Sequence, residues 1–129
     1  MIFQNRRNLW RMSPAELKAR TMQFAVRLLK FADALPNKPS GRTIANQVSS
    51  SGCSIASNYR AALRGKSRAD FINKITTVLE EADETSFGIE LTTLAGLLPA
   101  RQLAKLLVEA EELTKIFKAT RTTARNHRS

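Results

Sequence analysis

Cysteine, histidine, glycine and proline are all scarce in this chain of 129 residues, and each shortage excludes something. Cys53 is the single cysteine, so no disulfide can close within the chain. One cysteine and one histidine, His127, cannot build a structural zinc site, and a reducing, cytoplasmic setting is the expectation. Five glycines and four prolines are too few for a turn-rich β fold and favour long helices. No apolar run is long enough to span a membrane, and the opening MIFQNRRNLWRMS lacks a signal-peptide core. Neither a glycine-rich phosphate loop nor a nucleophile–base pairing is visible. No enzymatic activity, metal or cofactor is therefore expected.

Acidic residues are missing from two long stretches, and that absence shapes the rest. Residues 37–66 carry Lys38, Arg42, Arg60, Arg64 and Lys66 without an acid, and residues 113–129 carry Lys115, Lys118, Arg121, Arg125 and Arg128 without one. Nine of the eleven acids fall between Asp70 and Glu112. The net charge of +10 is thus polarised, with basic ends and a basic hinge around an acidic middle, and an anionic partner is plausible. With 43% hydrophobic and 25% charged residues, the chain has an ordinary globular composition and length enough for one core.

Periodicity divides the chain into four helices. Residues 1–12 read as an N-terminal arm, with Phe3, Leu9 and Trp10 available for docking. Ser13-Pro14-Ala15-Glu16 combines a cap, a first-turn proline and a capping-box glutamate. Leu17, Phe24, Leu28, Phe31 and Leu35 then recur at helical spacing until two prolines and Gly41 stop the helix. A second helix is predicted from Gly41–Thr43 to about Leu63, through Ile44, Val48, Ile55 and Tyr59. Its run of Ser49, Ser50, Ser51, Gly52 and Ser54 has poor helix propensity, so it is either a flexible loop or a face for close packing. Gly65 fits a helix cap and Ser67 an N-cap for a third helix from about Arg68 to Leu97. That helix carries a wide stripe: Phe71, Ile75, Val78, Ala82, Ile89 and Leu94, flanked by Phe87 and Leu91. Pro99 opens the last helix, whose pattern ends near Thr120 and leaves residues 121–129 as a basic tail. The fold expected over residues 13–120 is all-α, an antiparallel up-down-up-down four-helix bundle.

Few residues qualify as candidates for chemistry. Glu80, Glu81, Asp83 and Glu84, with Glu90, form the dense carboxylate group, readable as a solvated face or as partners for Arg60 or Arg64 inside the bundle or at a subunit contact. Cys53 reads as a packed, inert thiol. The basic hinge and C-terminus read either as solubilising charge or as phosphate contacts. Arg6, Arg7 and Arg11 around Trp10 allow base stacking or simple docking of the arm.

Three segments carry a resemblance: Ser54-Ile55-Ala56-Ser57-Asn58-Tyr59-Arg60-Ala61-Ala62, then Arg64-Gly65-Lys66-Ser67, then Asp70-Phe71-Ile72. Together they resemble the four-helix-bundle family first noticed as reading frames inside intervening sequences of bacterial large-subunit rRNA genes. Glu81, Glu84 and Glu90 fall in that family's acidic part, and Pro36, Ile44, Gln47 and Val48 where it has its loop proline and second-helix start. The resemblance covers about residues 15–120 and implies a ring-forming homo-oligomer, commonly a pentamer. It also implies kinship with the accessory variability protein of diversity-generating retroelements, a basic pentamer that binds nucleic acid and a reverse transcriptase.

The functional expectation is a non-enzymatic nucleic-acid-binding accessory module, directed to RNA rather than DNA or to a nucleic-acid-processing protein. Arg42, Arg60, Arg64, Lys66, Arg68, Arg121, Arg125 and Arg128 are the expected phosphate contacts. Asn58, Arg60, Glu81 and Glu84 are the expected structural polar pairs. The alternative is an oligomeric protein-interaction scaffold with no direct nucleic-acid contact.

Overall fold

The computed structural model of the chain describes residues 12–126. These form four helices and no strand: α1 (Pro14–Ala34), α2 (Pro39–Ala62), α3 (Arg68–Leu94) and α4 (Ala100–Asn126). The second helix packs on both α1 and α3, α4 packs on α3, and the α1–α4 contact is sparser, an arrangement consistent with a bundle. Phe3, Leu9 and Trp10 of the expected arm lie outside the described residues, as does Arg128.

Local chemistry sets most helix ends. The Ser13 hydroxyl accepts from the Glu16 amide at 3.1 Å while the Ser13 amide donates to Glu16 Oε1 at 3.2 Å, a complete capping box. Ser67 caps α3 by accepting from the Asp70 amide at 3.0 Å. Two boundaries differ from the sequence expectation. Helix α2 starts at Pro39 rather than near Gly41, because a first-turn proline has no amide hydrogen to waste. Helix α3 stops at Leu94 rather than Leu97. There Gly96 adopts φ +67°, its amide donating to the Thr93 carbonyl and the Leu97 amide to that of Thr92. This is the paired C-terminal closure that a left-handed glycine permits. Gly65 does not play that part: Leu63 is the C-cap of α2, and the Gly65 amide donates to the Ala62 carbonyl.

The fourth helix continues to Asn126, so residues 121–126, assigned from sequence to a tail, are helical. Arg121 Nη1 donates to Thr76 Oγ1 at 3.3 Å and Ala124 is half-buried, which anchors the final turns on α3.

The core is aliphatic and aromatic. Phe24, Leu28, Ile55, Ile75, Ile89, Leu103, Leu113 and Phe117 are fully buried, and the Tyr59 ring meets Phe117 edge-on at 5.1 Å. The small-residue run of α2 is helical throughout, which excludes the loop reading. A Cβ on Gly52 would fall 2.5 Å from Leu28 Cδ1, and one on Gly88 would collide with Val48. The missing side chains let α2 approach α1 and α3 closely, and packing against both neighbours outweighs the weak propensity. Ser51 and Thr85, both buried, share a 2.8 Å hydroxyl–hydroxyl hydrogen bond across the α2–α3 seam. Every buried side-chain polar atom among the described residues has a partner.

Candidate nucleic-acid interface

The turn between α2 and α3 supplies the first part of a basic surface. Arg60, Arg64, Lys66 and Arg68 are all exposed there, spaced along the last turn of α2, the 63–67 connection and the first turn of α3. Helix α4 ends beside them: Tyr59 touches Phe117, and Arg121 reaches Thr76 near the start of α3. Arg121 is half-buried by that contact and Arg125, one turn on, is exposed. Lys74, Lys115 and Lys118 belong to the same end of the bundle. Its acids among the described residues are Asp70 and Glu16, the latter engaged in the capping box, with Glu111 and Glu112 one turn from Lys115 on α4. Close spacing of like charges on short, rigid elements makes their fields add and favours anions over cations.

Arg42 does not belong to this group. It lies in the first turn of α2, where its Nη1 donates to Asn37 Oδ1 at 3.1 Å. Eighteen residues of helix at about 1.5 Å each put it roughly 27 Å from Arg60. The structure therefore gathers Arg60, Arg64, Lys66, Arg68, Arg121 and Arg125 and leaves Arg42 at the far end.

Two of the four expected polar partners share a third residue as neighbour. Asn58 Nδ2 donates to the Ser54 carbonyl at 2.9 Å and contacts the Ser54 hydroxyl at 2.8 Å. Glu81 is half-buried on the facing side of α3. Burial pushes its carboxyl up from the usual range and repulsion from Glu84 and Glu80 adds to this, while a hydrogen bond from Ser54 opposes it. Ser54, hydrogen-bonded to Asn58, thus also sits beside Glu81. Glu84 contributes its backbone instead, accepting from Gln47 Nε2 at 3.1 Å, and its side chain is exposed.

Arg60 forms no ion pair among the described residues, so the pairing with an α3 acid, expected inside the bundle or at a subunit contact, is not made within the chain. Its side chain is exposed on the outer face of α2. Among the described residues the cation paired with acids is Arg20, which sequence reasoning missed. Arg20 Nε and Nη2 grip Glu109 in a fork, with Nε–Oε2 at 2.8 Å, and Nη2 also reaches Glu112 Oε2 at 2.6 Å. These hydrogen bonds, that to Glu109 first, raise the Arg20 pKa against the opposing effect of burial. The clamp ties α1 to α4 where their contact is sparse. No sequence pattern links positions 89 residues apart.

Two further surfaces lie towards the opposite end. Phe87, Leu91 and Leu94 share the outer face of α3 and are exposed to 57%, 39% and 85%, although the sequence stripe assigned Leu94 to the core. Between the end of α1 and the start of α4 is an open cleft of about 320 Å³. Its floor is buried Phe31, Leu103 and Leu106, and exposed Arg27, Lys30 and Lys105 border it. Cys53 is exposed on α2 rather than packed.

The model of the family described as 23S rRNA-intervening sequence protein matches residues 15–119 of this chain. A crystal structure of a protein of unknown function from the S23 ribosomal protein family of Bacteroides thetaiotaomicron is similar to it. The two share 32% identity over 82% of this chain and 98% of that one, with a TM-score of 0.78. No curated protein matches.

Proposed function

Because the chain belongs to the 23S rRNA-intervening sequence protein family, we propose that it is a non-enzymatic RNA-binding accessory protein working as a homo-oligomeric ring. The observation that carries this reading is the collection of Arg60, Arg64, Lys66, Arg68, Arg121 and Arg125 at one end of the bundle. Phosphates are the ligand class such a surface fits, since exposed guanidinium and ammonium groups neutralise them without reading sequence. The family's tie to ribosomal RNA favours RNA over DNA. The pentameric ring rests on the resemblance drawn from the sequence. An antiparallel, up-down-up-down order is supported by the short connections between successive helices and, for α2 and α3, by contacts that run in opposite senses, residue 47 with 84 but 54 with 81. Among the described residues no helix is long and apolar enough to cross a membrane, and the cytoplasm is the proposed compartment.

The test is binding to structured RNA and to duplex DNA across a salt series. Phosphate neutralisation makes affinity fall with salt by a slope of about 0.7–0.9 per phosphate engaged. Reversing Arg64, Arg68 and Arg125 to glutamate flattens that slope, whereas Arg42→Glu leaves it nearly unchanged. No binding at low salt, indifference to salt, or an Arg42→Glu effect as large as that of the clustered residues overturns the assignment. A protein partner that stays bound through nuclease and high salt, with no RNA bound, replaces it with the scaffold reading.

A further inference from the structure

Several apolar surfaces outside the basic end lack a partner within the described chain, among them a stripe of Met22, Val26 and Leu29 on α1, and two of the others complement each other. One is the outer face of α3, where Phe87, Leu91 and Leu94 stand exposed with the carboxylates of Glu84 and Glu90 beside them. Three large side chains in successive turns form a patch of the kind that marks interaction sites. The other is the cleft between α1 and α4, with an apolar floor, three bordering cations and no lining acid.

We propose that the α3 face of one copy docks into the α1–α4 cleft of the next, so that the cleft is completed only by a neighbouring chain. This rests on the homo-oligomeric reading above and names its surfaces. Three observations converge on a second copy as the occupant. Charge is complementary: Glu84 and Glu90 on the donor face Arg27, Lys30 and Lys105 on the acceptor. Apolar character matches on both sides. Height matches too, because Leu98 in the cleft follows Leu94 of the face by only four residues, across the α3–α4 turn.

The interface is heterologous, since a different patch of each copy is used. Such contacts build filaments or close into rings according to the displacement between copies. Here both patches sit at the same level along the bundle, so the contact displaces successive copies little along its axis, as closure into a ring requires. Both patches also lie away from the basic end. The ring therefore collects every copy's Arg60–Arg68 segment and α4 terminus on one rim, where their fields sum.

Sedimentation equilibrium of the full chain at micromolar concentration tests this with charge swaps at exposed positions, circular dichroism confirming that each variant stays helical. The wild type is expected to sediment as an oligomer. Glu84→Lys with Glu90→Lys, and separately Lys30→Glu with Lys105→Glu, each raise the midpoint concentration of assembly by about tenfold or more as like charges meet. Each shifts the population towards the 14.4 kDa monomer. The chain carrying all four changes reassembles, because opposite charges face each other again. Phe87→Ala with Leu94→Ala also dissociates it. An oligomeric wild type whose paired variants remain fully assembled, or a fourfold variant that fails to reassemble, overturns the assignment of surfaces and leaves the oligomeric reading standing. A monomeric wild type overturns both and leaves the face and cleft to other occupants.

Discussion

Replacing Gly52 with alanine sets two opposed effects of known size against each other. Within a helix the change favours folding by about 0.5–1 kcal/mol, because glycine loses more backbone freedom on ordering. Against this, the new Cβ falls 2.5 Å from Leu28 Cδ1 and 3.2 Å from Leu28 Cβ, and Leu28 is wholly buried with nowhere to retreat. Forcing a methyl into such a seam costs about 1–3 kcal/mol. Gly52→Ala should therefore destabilise by roughly 0.5–2 kcal/mol, lowering the urea midpoint without changing the slope. Leu28→Ala alone costs about 2–5 kcal/mol as a cavity opens, but it removes the δ and γ carbons that the added methyl would strike. In that background Gly52→Ala should cost less than in the wild type or stabilise by up to about 0.5–1 kcal/mol, since only the 3.2 Å approach to the retained Cβ opposes the propensity gain. The measurement is equilibrium urea unfolding of the four chains at one fixed protein concentration, since assembly shifts apparent stability. A stabilising Gly52→Ala in the wild type, or an effect identical in both backgrounds, would refute the close-packing account.

Other expectations follow from single contacts. Arg20→Ala leaves Glu109 half-buried without its fork and should cost about 1–3 kcal/mol in urea unfolding, discounted from a fully buried pair for the exposure of Glu112. A double-mutant cycle with Glu109→Ala should return a coupling near the lower half of that range; a coupling of zero means that the clamp is incidental. Gly96→Ala should destabilise by about 1 kcal/mol through φ alone, because nothing lies within 4 Å of the added Cβ. An unchanged midpoint would show that the α3 terminus does not hold its left-handed turn. Glu81 has a carboxyl raised in the folded state, so folding takes up a proton as pH rises past the ordinary carboxylate range. Its favourable contribution is complete below that range and is lost as pH climbs through the folded value. Glu81→Gln should therefore flatten the decline in stability over that window and leave the acid side unaffected, as read by unfolding at a series of pH values.

Much of the fold was legible because its signals are local. Ser13 to Glu16, and Ser67 with Asp70, announce helix starts by interactions spanning three residues, and Pro36 and Pro99 announce breaks. The α4 terminus was misread because Arg125 and its neighbours lack an apolar stripe. In the structure its last turns lie against α3, where Arg121 meets Thr76, a contact invisible in a one-dimensional pattern. The candidate interface was partly legible: charge runs exposed its residues, but only the relative ends of the helices separate Arg42 from Arg60 and bring Arg121 beside the α2–α3 turn. The wide stripe on α3 similarly counts hydrophobic residues without saying which side meets the core. In the structure Ile75, Val78, Ala82 and Ile89 turn inwards while Phe87, Leu91 and Leu94 turn out.

By itself the sequence determined the all-α class, the number of helices, most of their starts and the polarity of charge along the chain. All of these arise from neighbours a few residues apart. Only the tertiary structure decided that Ser49–Ser54 is a helical seam, that Arg20 rather than Arg60 finds the acids, and that six cations share one end. Each of those depends on which helix faces meet, and burial across the interior outweighs the local preferences that a sequence displays.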